Sequence, residues 1–443
     1  MYILLLNISI FIIKILLISS FLFFIPVSII IIYSFIILII IIFVININNV
    51  IYYIDRYNLD LISIRIIILR FFILILIKIR QFRSKFLKNL FFIFLILNIS
   101  LMFSFSTNNI IIFYFFFEWS LIPIFFIILG WGYQIERIKS RFYLLIYTLF
   151  ASLPLLIFII ILINYYFSLS MNFIFLFIFF ENYNVYMFII MISFLVKFPI
   201  FFFHQWLPKA HVEAPVGGSI ILAGVLLKLG GYGIIRMLIY INYRRMILFI
   251  IVFSLLGGSL LSIVCLINRD IKVIIAYSSV VHMALIIINI ISKNYWSLNG
   301  RIIIILAHGI CSSGIFSCAN IIYERSHSRS IIINKAKLNL FPMISIFWFL
   351  LCIANFGGPF TYNLLGEILL IINLNSVRFI LLIFIILISF FSAIYRIILY
   401  SNLQQGSTNN LIFNISNFFC RELLILLSHI WPLLLLLISS III

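Results

Sequence analysis

Four charged residues and two histidines stand inside runs of apolar side chains long enough to lie in a lipid bilayer: Glu118, Lys197, Lys228, His282, His308 and Glu367. An ionised group in hydrocarbon costs several kcal/mol unless it is paired, neutralised or hydrated, so such residues mark ion or proton pathways far more often than they decorate a fold. Acids, amines and imidazoles are the three side-chain types whose protonation burial can bring toward neutral pH. Together they have the chemistry of a proton relay: Lys197 beside Glu118 as a switch, with Lys228, the two histidines and Glu367 as sites joined by water. A plain structural ion pair between Glu118 and a lysine is the simpler alternative, but it leaves two charges and two histidines unexplained. For His282 and His308, interhelical hydrogen bonds to Ser278, Ser279, Ser312 or Ser313 serve equally well.

The elements that must hold these residues follow from composition. The 443 residues are 66% hydrophobic and 9% charged, which describes a polytopic membrane protein rather than a soluble one. With no water to satisfy the backbone in lipid, the chain is all-α despite the poor intrinsic helix propensity of its many isoleucines. Fourteen transmembrane spans are expected. Spans one to four are Met1–Ser20, Phe21–Ile45, Leu59–Ile79 and Phe86–Phe105. Span five is Asn108–Leu129, span six Phe142–Tyr165, span seven Val185–Leu207 and span eight Pro215–Ile235. Spans nine to eleven are Met246–Ile267, Val273–Ile291 and Ile302–Tyr323; spans twelve to fourteen are Leu340–Asn373, Phe379–Tyr400 and Glu422–Ile443. The chain opens directly as an apolar helix, with no cleavable presequence expected.

The net charge of +19 could suggest nucleic acid. The basic residues instead sit in short loops between apolar runs. Sixteen of the 29 follow odd-numbered spans and seven follow even-numbered ones, so the positive-inside rule puts the odd loops in the matrix or cytoplasm and both termini opposite. No nucleic-acid partner is expected, and membrane lipid is. Lys14, Arg65 and Arg70 fall early in the chain, where snorkelling or a contact with a neighbouring subunit is expected. His327 and His429 read as interfacial or incidental. His204, His211 and Glu213 match no strong zinc spacing, and the five cysteines form no CxxC pair. The only glycine-rich stretch, Gly231-Tyr-Gly233, lacks a third glycine and sits in a helix, so no dinucleotide site is expected.

Two spans are expected to be interrupted. Span twelve would be roughly 50 Å long at ~1.5 Å per residue, too long for a ~30 Å hydrocarbon core, and Asn355-Phe-Gly-Gly-Pro359 breaks it. Span seven carries Pro199 two residues after Lys197. Interruptions five spans apart suggest two inverted five-helix repeats, as in many transporters. The expected domains are an N-terminal group of spans over 1–105, with span four opening the first repeat at about 86; a first repeat over 86–236; an inverted second repeat over 246–400; and a loop with the last span over 401–443. Across the repeats Glu118 corresponds to His282, Lys197 to Glu367, and Lys228 to Arg396.

Several segments carry a specific resemblance: FFFEWSLIPIFFIILGWG, VKFPIFFFHQWLPKAHVEAPVGGSIILAGVLLKLGGYG, AYSSVVHM, LAHGICSSG and the broken NFGGPF stretch. From about Asn108 to Tyr400 the chain resembles the antiporter-like membrane subunits of mitochondrial NADH–ubiquinone oxidoreductase, respiratory complex I. It resembles most the branch with an acid rather than a lysine on span twelve. The resemblance implies a fourteen-helix inner-membrane subunit that couples electron transfer from NADH to ubiquinone to proton translocation. It implies that Glu118, Lys197, Lys228, His282, His308 and Glu367 are the relay, and that the partners are other membrane-arm subunits, especially neighbouring antiporter-like chains. No cofactor is expected in this chain; NADH, FMN, iron–sulfur clusters and ubiquinone belong to other parts of such a complex. A subunit of a multisubunit cation/proton antiporter and a structural membrane-arm scaffold are the alternatives.

Overall fold

The computed structural model describes residues 61–80, 87–165, 183–238, 244–291, 295–375, 381–407 and 419–441. Spans one and two, and Lys14 with them, lie outside the described residues. The remaining twelve expected spans are helical. They are α1 (Leu61–Arg80), α2 (Leu87–Ser106), α3 (Ile110–Trp119), α4 (Leu121–Trp131), α5 (Arg137–Tyr165), α6 (Tyr183–Lys197), α7 (Trp206–Glu213) and α8 (Val216–Ile221). A π-helical segment (Leu222–Leu226) joins α8 to α9 (Leu227–Leu238). Then come α10 (Arg244–Ile267), α11 (Ile271–Ile291), α12 (Tyr295–Ser326), α13 (Lys337–Leu340), α14 (Pro342–Asn355), α15 (Tyr362–Asn375), α16 (Leu382–Gln404) and α17 (Cys420–Ile441). Eight spans among the described residues are long and apolar enough to cross a membrane. The only β contact among them is one isolated bridge, Asp270 to Ser330.

Burial separates core from rim. The stretch Val216–Met237 is 100% buried in its most apolar window, whereas that of α16 is only 33% buried. The buried centre therefore consists of α8, the π segment, α9, α11 and α12. Helices α5, α10 and α16 form the rim, with exposed side chains such as Ile146, Phe150, Phe249 and Ile386. Apolar side chains on an outer face are what a lipid-solvated surface requires, since bilayer replaces water as their solvent.

Both expected interruptions are present, and in each the carbonyl that proline orphans finds another donor. Proline has no N–H, so it leaves the carbonyl four residues earlier without its helical donor. For Pro199 that carbonyl belongs to Leu195, and it accepts instead from the Ile200 N–H at 3.2 Å. The neighbouring Val196 carbonyl takes the Trp206 indole N–H at 3.1 Å. For Pro359 the carbonyl is that of Asn355, which accepts from the Asn363 side chain at 3.0 Å. Positive φ angles turn the chain at Phe202 (71°) in the first break and at Gly357 (71°) and Phe360 (64°) in the second. Gly357 suits this region; the two phenylalanines each cost about 1–2 kcal/mol for it.

Four details differ from the sequence expectation. Span seven does not end at Leu207, because the stretch between it and span eight belongs to α7, with Pro208 in its first turn where a missing N–H costs nothing. Span eight is also irregular, through its π segment. Arg70 does not snorkel: it is buried between α1 and α2 and donates to the Asn98 carbonyl at 2.6 Å. His429 is not interfacial but fully buried within α17, its Nδ1 donating to the Ile425 carbonyl at 2.8 Å.

One end of the bundle is laced by charge. Arg80 meets Glu324 at 2.9 Å and Glu422 at 3.7 Å, and Arg325 meets Glu422 at 2.7 Å, joining α1, α12 and α17. Beside this clamp Arg329 reaches Glu213 at 3.4 Å and Gln134 at 2.5 Å. These residues follow spans three, five, seven, eleven and thirteen, so those loops share one face among the described residues.

Candidate functional site

The six expected residues fall into two groups. The first is Glu118 with Lys197. Glu118 lies two residues before Ser120, where the helix turns between α3 and α4. Lys197 is the last residue of α6, at the lip of the break. Its Nζ stands 3.8 Å from Glu118 Oε1, donates to the Phe117 carbonyl at 2.5 Å and lies over the Phe117 ring. The lysine side chain is 5% exposed and that of Glu118 16%, yet both carboxylate oxygens are buried. Tyr114 and Ser152 flank it. A salt bridge this dry gains Coulomb energy only by losing two hydration shells, so it is poised rather than strongly stabilising.

The second group gathers around α12. Lys228 is fully buried and donates to the Ala223 carbonyl, five residues back along its own chain. Ala223 lies in the π segment, where the wide turn frees carbonyls from the regular ladder. The Lys228 stem packs on Gly309, where an added Cβ would stand 3.4 Å from Cε. His308 is the preceding residue. Its ring lies 5.0 Å, centroid to centroid, from that of His282 on α11, and both rings are buried. Arg396 of α16 hydrogen-bonds Nε2 of His282. Asn355, the last residue of α14 before the break, faces the same imidazole. Glu367 lies in α15, its carboxylate against Gly357 of the break and within electrostatic range of Arg396.

No hydrogen bond or ion pair within 4 Å joins Lys197 to Lys228 among the described residues. The helices carrying them nevertheless touch at backbone distance. A Cβ on Gly230 would stand 2.8 Å from the Phe198 nitrogen and 2.9 Å from the Phe194 carbonyl oxygen, so only glycine permits this approach of α9 to the lip of the break.

Arg396 is the site residue that the sequence expectation left outside the relay. Its signal was present, a charge in the middle of an apolar span at the position corresponding to Lys228. A guanidinium donates and cannot accept, so the Nε2 it meets must carry a lone pair, which fixes the remaining ring proton of a neutral His282 on Nδ1. His204 stacks on Phe201 and His211 on Phe316, while Glu213 is taken by Arg329. No group of three or more His, Cys, Asp or Glu residues able to hold a metal ion occurs among the described residues.

Residues 107–392 match the family described as NADH:quinone oxidoreductase/Mrp antiporter, transmembrane. The chain is 47% identical over 329 residues to NADH-ubiquinone oxidoreductase chain 4 of Aedes aegypti, covering 74% of this chain and 73% of that one. With the chain 4 of Ceratitis capitata it shares 42% identity over 405 residues, 88% of each. Among solved structures, a chain of respiratory complex I from Thermus thermophilus with bound NADH superposes with a TM-score of 0.81 at 19% identity, over 93% of this chain and 91% of that one. A chain of the Mrp complex from Dietzia sp. DQ12-45-1b gives 0.71 at 15% identity, over 79% and 66%. At those identities the likeness is one of fold.

Proposed function

This chain belongs to the transmembrane family shared by NADH:quinone oxidoreductases and Mrp antiporters, within its NADH–ubiquinone oxidoreductase chain 4 branch, and on that premise we propose that Glu118, Lys197, Lys228, His308, His282 and Glu367 carry protons through it, with Arg396 as a fixed charge. It is a membrane-arm subunit of complex I and so part of an NADH:ubiquinone oxidoreductase. The observation that carries the relay reading is the Glu118–Lys197 pair at the lip of a broken helix. A lysine that ends its helix can leave its carboxylate with only a small change in backbone, and once separated it gives up its proton more readily.

In this reading Glu118 holds Lys197 protonated until the break shifts or the carboxylate is neutralised. The proton then passes by water to Lys228, whose ammonium leans on the Ala223 carbonyl, and on to His308 and His282. His282 takes the proton at Nε2 only when the Arg396 N–H lets go of that lone pair, and Arg396 sets the field at Glu367, the last site. Redox chemistry with NADH, FMN, iron–sulfur clusters and ubiquinone is placed in other subunits. The two breaks, five spans apart and each with the carbonyl orphaned by its proline paired again, support the two inverted repeats over 86–236 and 246–400. The shared face of the odd loops, rich in lysine and arginine, supports a matrix-facing orientation in the mitochondrial inner membrane. Kinship with NADH-ubiquinone oxidoreductase chain 4 supports other membrane-arm subunits, neighbouring antiporter-like chains among them, as partners.

The test is Lys197→Ala in the assembled complex. NADH–quinone turnover and coupled proton movement fall together while assembly on a native gel is retained. Full pumping by this variant refutes the relay and leaves the scaffold reading. Migration of the native subunit apart from NADH dehydrogenase activity would favour a separate antiporter.

A further inference from the structure

On the rim, away from the relay, α5 and α6 part to leave an apolar groove of about 480 Å³, lined by Ile146, Phe150, Ala151, Pro154, Phe188 and Ile192 among others. It abuts a polar cleft of about 600 Å³ whose lining includes Lys139, Lys209, Tyr143, Gln205 and Glu136. The hydrogen bond from the Tyr147 hydroxyl to Gln205 Oε1, 3.1 Å, stands where cleft and groove meet. The groove begins about two turns along α5 from Lys139, roughly 10 Å below the charged face at ~1.5 Å per residue. That is the spacing between a headgroup and the upper part of its acyl chain.

We propose that this groove and cleft form a binding site for one anionic phospholipid, its phosphate at Lys139 and Lys209 and an acyl chain between α5 and α6. Charge favours lipid over a protein helix as the occupant. Lys139 and Lys209 are exposed at the mouth, Glu213 is engaged by Arg329, and Glu136 is the one acid left to oppose them. Lys209 is already held in place, its Nζ over the Tyr143 ring at 3.3 Å from the centroid. Basic pockets between transmembrane helices on this face suit acidic headgroups. The bound chain would touch Val196 and Phe203, which line the groove on either side of the α6 break. A lipid there braces the lip that carries Lys197.

The experiment uses the intact complex in phosphatidylcholine bilayers doped with a photoactivatable phosphatidylglycerol, with labelled peptides mapped by mass spectrometry. Labelling is expected in the peptides containing Ile146–Pro154 and Phe188–Phe203. Lys139→Ala with Lys209→Ala is expected to weaken it on the order of tenfold or more, the worth of two interfacial lysines. Ala151→Phe, which fills the groove and leaves the lysines in place, is expected to abolish it. If the double variant does not assemble, Ala151→Phe and competition by unlabelled phosphatidylglycerol against phosphatidylcholine decide. Equal labelling by a photoactivatable phosphatidylcholine, indifferent to both substitutions, overturns the proposal. So does cross-linking from a benzoylphenylalanine at position 150 to a helix of another subunit.

Discussion

The two ends of the proposed relay hold charge in opposite ways. At the first, an acid and a lysine face each other directly, 3.8 Å apart, at the end of a helix. At the second, the acid Glu367 and the cation Arg396 share a field, yet the arginine spends its hydrogen bond on His282. Lysine can lose its proton; arginine in a protein does not. The titrating partner is therefore the cation at the first end, and the acid or the imidazole at the second. A path with two switchable ion pairs would have two equivalent ways to stall. Here one end switches and the other is biased by a constant charge.

Substitutions at either end can break or sharpen that contrast. The largest effect is expected at the switch: Lys197→Ala, and to a similar degree Glu118→Gln, lower coupled turnover on the order of 10²-fold, the scale of a lost proton-transfer group, measured as NADH–quinone activity together with membrane potential. Next comes Arg396. Arg396→Lys keeps the charge but makes it titratable, so activity persists near neutral pH and acquires a new alkaline limb. Arg396→Leu removes the bias and lowers turnover at every pH. A flat alkaline profile for Arg396→Lys would mean that this cation does not act through its charge.

Gly230→Ala tests whether the two ends communicate through the packing of α9 on the break. Its Cβ would meet backbone at 2.8 Å, where no flexible side chain can yield, and such overpacking costs about 1–3 kcal/mol. A drop in turnover larger than the accompanying loss of thermal stability would indicate that the lip of α6 has been displaced. The smallest effect is expected outside the membrane-spanning helices, at Lys337, the first residue of the short α13. Burial, with help from Arg325, lowers its pKa to about 8. The unfolded chain therefore binds the proton more strongly, and stability rises as pH climbs from about 8 toward the ordinary lysine value of about 10.4. Lys337→Met should raise the melting temperature at pH 7 by a few degrees, and the gain should shrink by pH 9.

Glu118, Lys197, Lys228 and Glu367 were legible in the sequence because a charge amid isoleucines and phenylalanines has few innocent explanations. Both breaks were legible too, since Pro199 and Pro359 forbid a continuous ladder. What stayed hidden lacked a local signal. Residues 206–213 carry prolines nearby and several polar groups, which read as a loop until tertiary packing makes them α7. The clamp of Arg80, Glu324, Arg325 and Glu422 joins residues far apart in the chain, and no spacing announces it. His429 looked interfacial because position along a span says little about which face of the helix it occupies.

Least visible was the π segment, whose residues Leu-Ala-Gly-Val-Leu are ordinary in any apolar helix. Such a turn holds one residue more than its regular neighbours and absorbs it without turning the helix beyond. Deleting a single residue from Leu222–Leu226 would close the wide turn and keep the residues beyond it in phase, whereas the same loss in a regular helix swings everything beyond by ~100°. Lys228 would still face Gly309 but lose the carbonyl that the wide turn frees for its ammonium, with no charged residue altered. In the gene, a lost codon here should therefore be milder than one in the rim helix α16 before Arg396, which would swing that arginine off His282.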